Sequence, residues 1–369
     1  MKKLGFVVNP IAGMGGSVGL KGTDGEEILR KAIELGATPV APGRAVDFLK
    51  NLKPAEEIHL ITYPMEMGEY EAKEAGFRPT VIGKISKPTT ASDTKRAVRE
   101  MCELGVDLLV FCGGDGTARD VLDAIKPGTP SLGVPAGVKM YSAVFARTPE
   151  IAAHVAIRYL KGELPLKEAE VADIDEEAFR AGRLSAKIYG YMLIPYEPKL
   201  VQSSKIPTPS SESELKNQMD IARWVVENMD EDVIYILGPG TTVAVIAKVL
   251  NIDKTILGVD LVKGRKLLLK DANEKQILDA VRGRKAKIIL SPLGGLGSLL
   301  GRGNQQISPK VIKAVGKENI IVVATKRKLR ELPFGCLWVD TGDKELDDEF
   351  HGYMRVIVGY GEEELIKVM

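Results

Sequence analysis

Cysteine and histidine are scarce, three of each in 369 residues. Cys102, Cys112 and Cys336 lie far apart or inside apolar segments, with neither CxxC spacing nor a clustered histidine. That argues against a disulfide framework and a Cys/His metal site, and makes them small core residues of a reducing compartment. No hydrophobic run approaches the length of a membrane span. The N-terminus enters a strand at Leu4–Val8 without the apolar region of a signal peptide, so the expected location is cytoplasmic. An excess of charge is also missing: 51 Lys and Arg stand against 50 Asp and Glu. Nothing in that balance draws the chain to nucleic acid or a membrane surface, and any anion site must be local. Glycine, by contrast, is plentiful at 38 residues, and 44% of the chain is hydrophobic, enough for two buried cores at this length.

The stretch that organises the rest is Val106-Asp-Leu-Leu-Val-Phe-Cys-Gly-Gly-Asp-Gly-Thr117. An apolar run suited to a fully buried strand stops at a turn made of glycines, one carboxylate and one hydroxyl. Gly113, Gly114 and Gly116 allow backbone N–H groups to approach phosphate oxygens directly. Val121, Leu122 and Ile125 recur at helical spacing, which puts the turn at a helix N-terminus and favours anions there. Asp115 then stands at a strand end beside the bound anion. The simpler alternative is a structural turn in which Asp115 caps the helix.

Two further glycine loops follow strands in the first half. Asn9-Pro-Ile-Ala-Gly-Met-Gly-Gly16 leaves Leu4–Val8 and runs on to Gly25, with Lys21, Thr23 and Asp24 as groups able to close over a phosphate or magnesium. Pro130–Gly137 predicts a strand and a small-residue turn, with Lys139 and Ser142 opening the next helix. Helices are expected at Glu26–Leu35, around Val46–Leu52, after the N-cap candidates Thr90–Asp93, and from Thr148 to Leu160; strands are expected at Ile58–Thr62 and Thr80–Gly83. This alternation makes residues 1–147 a doubly wound, Rossmann-like parallel sheet whose ligand crevice lies at the carboxyl ends of the strands.

Beyond residue 147 the pattern changes. Leu166–Ile174 and Leu184–Ile194 read as paired antiparallel strands, Pro195–Ser213 as an exposed loop, and Leu215–Met229 as an amphipathic helix. Val233–Leu237 ends in Gly238-Pro-Gly-Thr-Thr242 before a helix, a counterpart of the central turn. Thr255–Leu261 reads as a strand ending near Asp260. Ile288–Gly297 opens a further glycine loop containing Gly295, followed by Arg302, Asn304, Gln305 and Gln306 as a dense set of donors. Ile320–Thr325 is an expected strand, and the Lys326-Arg-Lys-Leu-Arg330 cluster after it reads as a solvated face with phosphate contact as the lesser alternative. The expectation is a mixed α/β, β-rich second domain over 148–340, with 341–369 closing a sheet.

Val8–Gly16, Lys21-Gly-Thr-Asp-Gly25, Gly113–Asp120 and Gly238–Thr242 together resemble the archaeal and bacterial branch of ATP-NAD kinase-like proteins that includes acetoin-catabolism-associated relatives. Through Gly113–Thr117 the chain is similar to the wider superfamily of NAD, diacylglycerol and sphingosine kinases. The resemblance implies phosphoryl transfer from ATP or polyphosphate, with Mg2+, to a ribose hydroxyl of NAD, with Asp115 as general base. It implies donor-phosphate contacts at Asn9, Gly13, Gly15, Gly16, Gly113, Gly114, Gly116, Thr117, Gly137 and Lys139. Acceptor contacts are expected at Gly240, Thr241, Thr242, Asp260, Gly295 and Gln305. Lys187–Ile194 carries no Asn-Glu pair of the kind that binds the dinucleotide in typical NAD kinases, so the choice of ribose hydroxyl stays open. A kinase of another nucleotide, polyol or lipid, and a nucleotide sensor without catalysis, are the alternatives. The expected partners are NAD and ATP in a homo-oligomer, without nucleic acid or membrane.

Overall fold

The computed structural model describes residues 1–20, 26–52, 58–137, 140–174, 186–197, 212–293 and 297–369. The chain divides into two compact units, Met1–Met14 with Gly22–Ile206, and Gly15–Lys21 with Pro207–Met369. Lys21, Thr23, Asp24, Lys139 and Gly295 lie outside the described residues, as does most of the loop expected over Pro195–Ser213.

In the first unit the order is β1 (Lys2–Val8), α1 (Glu26–Glu34), α2 (Ala41–Asn51), β2 (Ile58–Thr62), α3 (Glu69–Glu74), β3 (Thr80–Val81), α4 (Ala91–Glu103), β4 (Leu108–Gly113), α5 (Asp115–Leu122), β5 (Ser131–Pro135), α6 (Pro149–Leu160), β6 (Leu166–Ile174) and β7 (Ala186–Pro195). The five-stranded sheet runs β3-β2-β1-β4-β5, and every pairing in it is parallel. Successive residues of β1 enter opposite cores. Leu4, Phe6 and Val8 pack with Ala41, Phe48 and Ala152 of α2 and α6; Val7 packs with Val98, Met101 and Val121 of α4 and α5. Covering both faces is what requires β1 and β4 to be near-continuous apolar runs. Strand order reverses between β1 and β4, the place where an open α/β sheet leaves a crevice beyond its strand ends.

Two features differ from the sequence expectations. Met140–Ala146 does not continue as a helix. Instead the Gly133 amide donates to the Val144 carbonyl at 2.9 Å and the Ala146 amide to the Gly133 carbonyl at 3.0 Å, because fully buried Val144 and Phe145 pin the segment along β5; Phe145 meets Phe111 edge to face at 5.4 Å. The unit also runs past residue 147. Strands β6 and β7 form the expected antiparallel pair, and Ala169, Val171, Met192 and Ile194 from that hairpin join the core beside α4 and α5.

The second unit contains α7 (Glu212–Glu227), β8 (Ile234–Leu237), α8 (Thr241–Val249), β9 (Asp260–Lys263), β10 (Lys266–Leu269), α9 (Glu274–Val281), β11 (Ala286–Leu290), β12 (Ser298–Leu300), α10 (Pro309–Val315), β13 (Ile320–Val323), α11 (Lys326–Arg330), β14 (Cys336–Val339), α12 (Lys344–Phe350), β15 (Gly352–Gly359) and β16 (Glu362–Val368). Its nine-stranded sheet has the order β10-β9-β8-β11-β13-β15-β16-β14-β12. Strands β8, β11, β13 and β15 are parallel neighbours, whereas β9 runs antiparallel to β8 and β16 antiparallel to β15. It is the mixed, strand-rich unit the sequence predicted. The strand expected from Thr255 begins only at Asp260, since Thr255 is taken up in a turn around that carboxylate. Residues 341–369 supply β15 and β16 to the interior of the sheet rather than its edge, which is left to the short strands β12 and β10.

Asp93 shows how tightly the first unit is tied. Fully buried, it accepts from the Thr90 amide and hydroxyl at 2.8 and 2.9 Å and from the Ser86 amide and hydroxyl at 3.0 and 3.1 Å, and it pairs with Arg96. Asp93→Ala strands these donors and is expected to cost about 2–4 kcal/mol, read as a lower urea midpoint for the transition that includes α4.

Candidate active site

Three loops meet at the carboxyl ends of β1, β4 and β5. Asn9 extends β1 by donating its amide to the Cys112 carbonyl at 2.9 Å. Its side-chain Nδ2 donates to Thr117 Oγ1 at 2.8 Å, and its Oδ1 accepts from the Ile11 amide at 3.3 Å. The first loop is thereby fastened to the first turn of α5. From the other side, the Ala136 amide donates to the Gly113 carbonyl at 2.9 Å. Gly114 and Gly137 touch backbone to backbone: a Cβ on Gly137 would lie 2.8 Å from the Gly114 Cα. Gly13 has φ +79°, and a Cβ there would stand 2.0 Å from the Ala136 carbonyl oxygen. Asn9, Gly13, Gly113, Gly114, Thr117 and Gly137 are thus brought together, with Gly116 in the first turn of α5. Gly15 and Gly16 belong to the second unit, where a Cβ on Gly16 would meet Gln305 Oε1 at 1.5 Å.

Asp115 is the first residue of α5, but its carboxylate does not cap that helix. It reaches across to the third loop, where the Tyr141 amide donates to Oδ2 at 2.6 Å and the Ser142 amide to Oδ1 at 3.0 Å. The Ser142 hydroxyl continues the chain of contacts, donating to the Ala172 carbonyl of β6 at 2.8 Å. Asp115 is only 5% exposed. Burial raises its pKa from 3.8 to about 7, against the pull of the hydrogen bonds from Ser142 and Tyr141, and the nearby Asp173 charge adds to the rise. Tyr141, half-buried beside it, is pushed up to about 12 by desolvation. A carboxyl group that shares its proton near neutrality, at the end of a parallel strand and with amides holding both oxygens, is suited to accepting a proton.

In the second unit the turn Gly238–Thr242 follows β8 as predicted, with Gly240 at φ +111° before α8. Thr242 is fully buried, and its Oγ1 accepts from Lys328 Nζ at 3.1 Å; Ser291 Oγ, just past β11, accepts from the same ammonium at 2.9 Å. The structure keeps Asp260 apart from these. It accepts from the Thr255 amide at 2.8 Å, the Thr255 hydroxyl at 2.8 Å and the Asp271 amide at 2.7 Å, and Lys254 Nζ lies 3.4 Å away. Both its oxygens are committed to holding a turn. Asn304 is also structural, bonding the Leu299 carbonyl and Gly301 amide. Lys328 was missed as an individual because a run of cations carries no mark of which one turns inward.

Among the described residues no three His, Cys, Asp or Glu side chains gather as a metal site, and no helix is long and apolar enough to cross a membrane. Comparison with protein families gives two matches: the ATP-NAD kinase N-terminal domain over residues 4–164 and the ATP-NAD kinase C-terminal domain over residues 230–368. No curated protein and no solved structure matches the chain significantly.

The raised pKa of Asp115 has a definite consequence for stability. Between its unfolded value near 3.8 and its folded value near 7, the folded chain holds a proton that the unfolded chain has released. The stabilisation is complete below the lower value and is lost as pH rises to the upper one, at up to about 1.4 kcal/mol per pH unit. Denaturant titrations from pH 4 to 8 should show this decline in the wild type and a flatter profile in Asp115→Asn.

Proposed function

We propose that this chain, which belongs to the ATP-NAD kinase family, transfers a phosphoryl group from ATP or polyphosphate to a ribose hydroxyl of NAD. The two family matches support a kinase acting on NAD. The donor and the residue roles are our assignment, and the observation that supports them most directly is the buried Asp115 carboxyl with a pKa of about 7 at the switch point of the first sheet.

Asp115 is assigned as general base. The acceptor hydroxyl gives its proton to the Asp115 carboxylate as its oxygen bonds to the terminal phosphorus, and the phosphorus–oxygen bond to the rest of the donor breaks, leaving the electron pair on the departing phosphate. Such transfer depends mainly on positioning and charge neutralisation. The donor phosphates are assigned to the first unit's loops carrying Asn9, Gly13, Gly113, Gly114, Gly116, Thr117, Gly137 and Lys139, whose glycines admit close approach to backbone amides. A magnesium ion arriving with the donor would take most of its ligands from phosphate and water, and among the described residues the turn would offer it Asp115, with Asp173 near, rather than a carboxylate cage. When bound, that ion would neutralise charge on the phosphates. Dinucleotide contacts are assigned to Gly240, Thr241, Thr242, Gly295 and Gln305.

Asp115→Asn keeps the shape but cannot take the proton. Turnover is expected to fall about 10²–10⁴-fold with donor affinity little changed, and the wild-type rise of kcat/KM through about pH 7 should vanish with it. Steady-state assays with ATP and polyphosphate, read beside mass-spectrometric mapping of the product, check both parts. Near-normal turnover in the variant removes Asp115 from the mechanism, and absence of phosphorylated NAD with either donor removes NAD as acceptor.

A further inference from the structure

The charge run Lys326–Arg330 divides into two kinds of side chain. Lys326 pairs with Glu362, Arg327 lies 3.1 Å from Glu331, and Arg330 donates to the Lys326 carbonyl at 3.3 Å. These form the solvated face that the sequence suggested. Lys328 turns the other way. The side chain is half-buried and its ammonium donates to Thr242 Oγ1 and Ser291 Oγ, and among the described residues no carboxylate stands within ion-pair distance. Among the described residues the charged group that bears on it from a distance is Glu214 of α7, whose Oε1 accepts from the Thr325 hydroxyl at 2.6 Å.

Strand topology explains the convergence. Thr242 follows β8, Ser291 follows β11 and Lys328 follows β13, and these strands are adjacent and parallel. Their carboxyl ends therefore deliver three side chains to one place, where open α/β sheets bind ligands. The chemistry of that place is one-sided. Each hydroxyl accepts from the ammonium and so keeps its own O–H to give, the ammonium has a third N–H, and α8 begins at Gly240 with no side-chain cap over its first amides. Only donors converge. A desolvated cation without an adjacent counter-charge is costly, and desolvation accordingly pulls the Lys328 pKa down to about 8. An oxyanion with several acceptor oxygens removes that cost and takes up every donor.

We propose that Lys328, Thr242 and Ser291 form a phosphate-recognition site of the second unit, which receives the diphosphate group of the dinucleotide acceptor. The naming of the dinucleotide rests on the kinase reading above; the anion site does not.

Inorganic pyrophosphate is the probe for the site itself, with binding followed by calorimetry on the full chain. Lys328→Met should leave the Tm of the free protein unchanged or raised, since it removes an uncompensated charge, while pyrophosphate affinity falls about ten- to hundredfold. Ser291→Ala, which keeps the lysine, should weaken pyrophosphate by a smaller factor and decides the matter if Lys328→Met does not fold. Undiminished pyrophosphate binding in both variants overturns the site, as does a lowered Tm in Lys328→Met with binding intact, which is the mark of a purely structural lysine. In kinetics, Lys328→Met should raise KM for NAD and leave KM for ATP alone; a rise for ATP only overturns the assignment to the acceptor. A wild type that binds pyrophosphate through Lys328 yet never phosphorylates NAD retires the NAD reading and supports the anion site. An NAD kinase whose KM for NAD and pyrophosphate affinity both ignore Lys328→Met retires the anion site and keeps the kinase.

Discussion

A carboxyl group held inside the protein by two backbone amides is the constraint on which the first unit's site depends. Asp115 cannot be solvated where it lies, so its oxygens must find donors in the chain, and the Tyr141 and Ser142 amides supply them. That requirement places residues 141 and 142 across the end of β4. Ser142 then fastens the same segment to β6 by accepting from the Ala172 amide at 3.0 Å and donating to its carbonyl at 2.8 Å. On the opposite side Thr117, in the same helical turn as Asp115, holds the Asn9 side chain. The loop after β1, the turn after β4, the loop after β5 and the hairpin β6–β7 are therefore linked through two neighbouring turns of hydrogen bonds around one acid. Packing alone would fix the strands; these polar contacts fix the loops.

The parts of this arrangement written into side-chain types were legible. Strands buried on both faces must be apolar runs, so Leu4–Val8 and Leu108–Cys112 announce themselves, and glycines at their ends mark the turns. The partners of Asp115 were not legible, because they are backbone amides that any residue can offer. The segment Met140–Ala146 reads as a helix by local spacing, yet its strongest interactions are with β5 and Phe111, remote in sequence. Tertiary packing overrides a local pattern in just such short stretches. Asp260 erred in the other direction. At a strand end it looks like a ligand group, and only the positions of Thr255, Lys254 and Asp271 reveal a closed structural knot.

The second unit carries the same logic with the sign reversed. Asp115 is an acid whose proton affinity burial has raised toward neutrality, and Lys328 is a base whose proton affinity burial has lowered toward neutrality. Each stands past the carboxyl ends of adjacent parallel strands, where backbone geometry leaves room for a side chain to turn over the sheet edge. Among the described residues neither has an ion-pair partner: Asp115 has amides and Lys328 has hydroxyls. Dipoles orient a charge without cancelling it, so both groups keep most of their electrostatic influence for whatever binds beside them. At three other positions the chemistry is different. Asp93 has Arg96, Asp260 has Lys254, and Arg119 has Asp173 at 3.1 Å. Those three charges serve the fold and are paired, whereas Asp115 and Lys328, oriented by dipoles, are charges whose energy a charged ligand can change strongly.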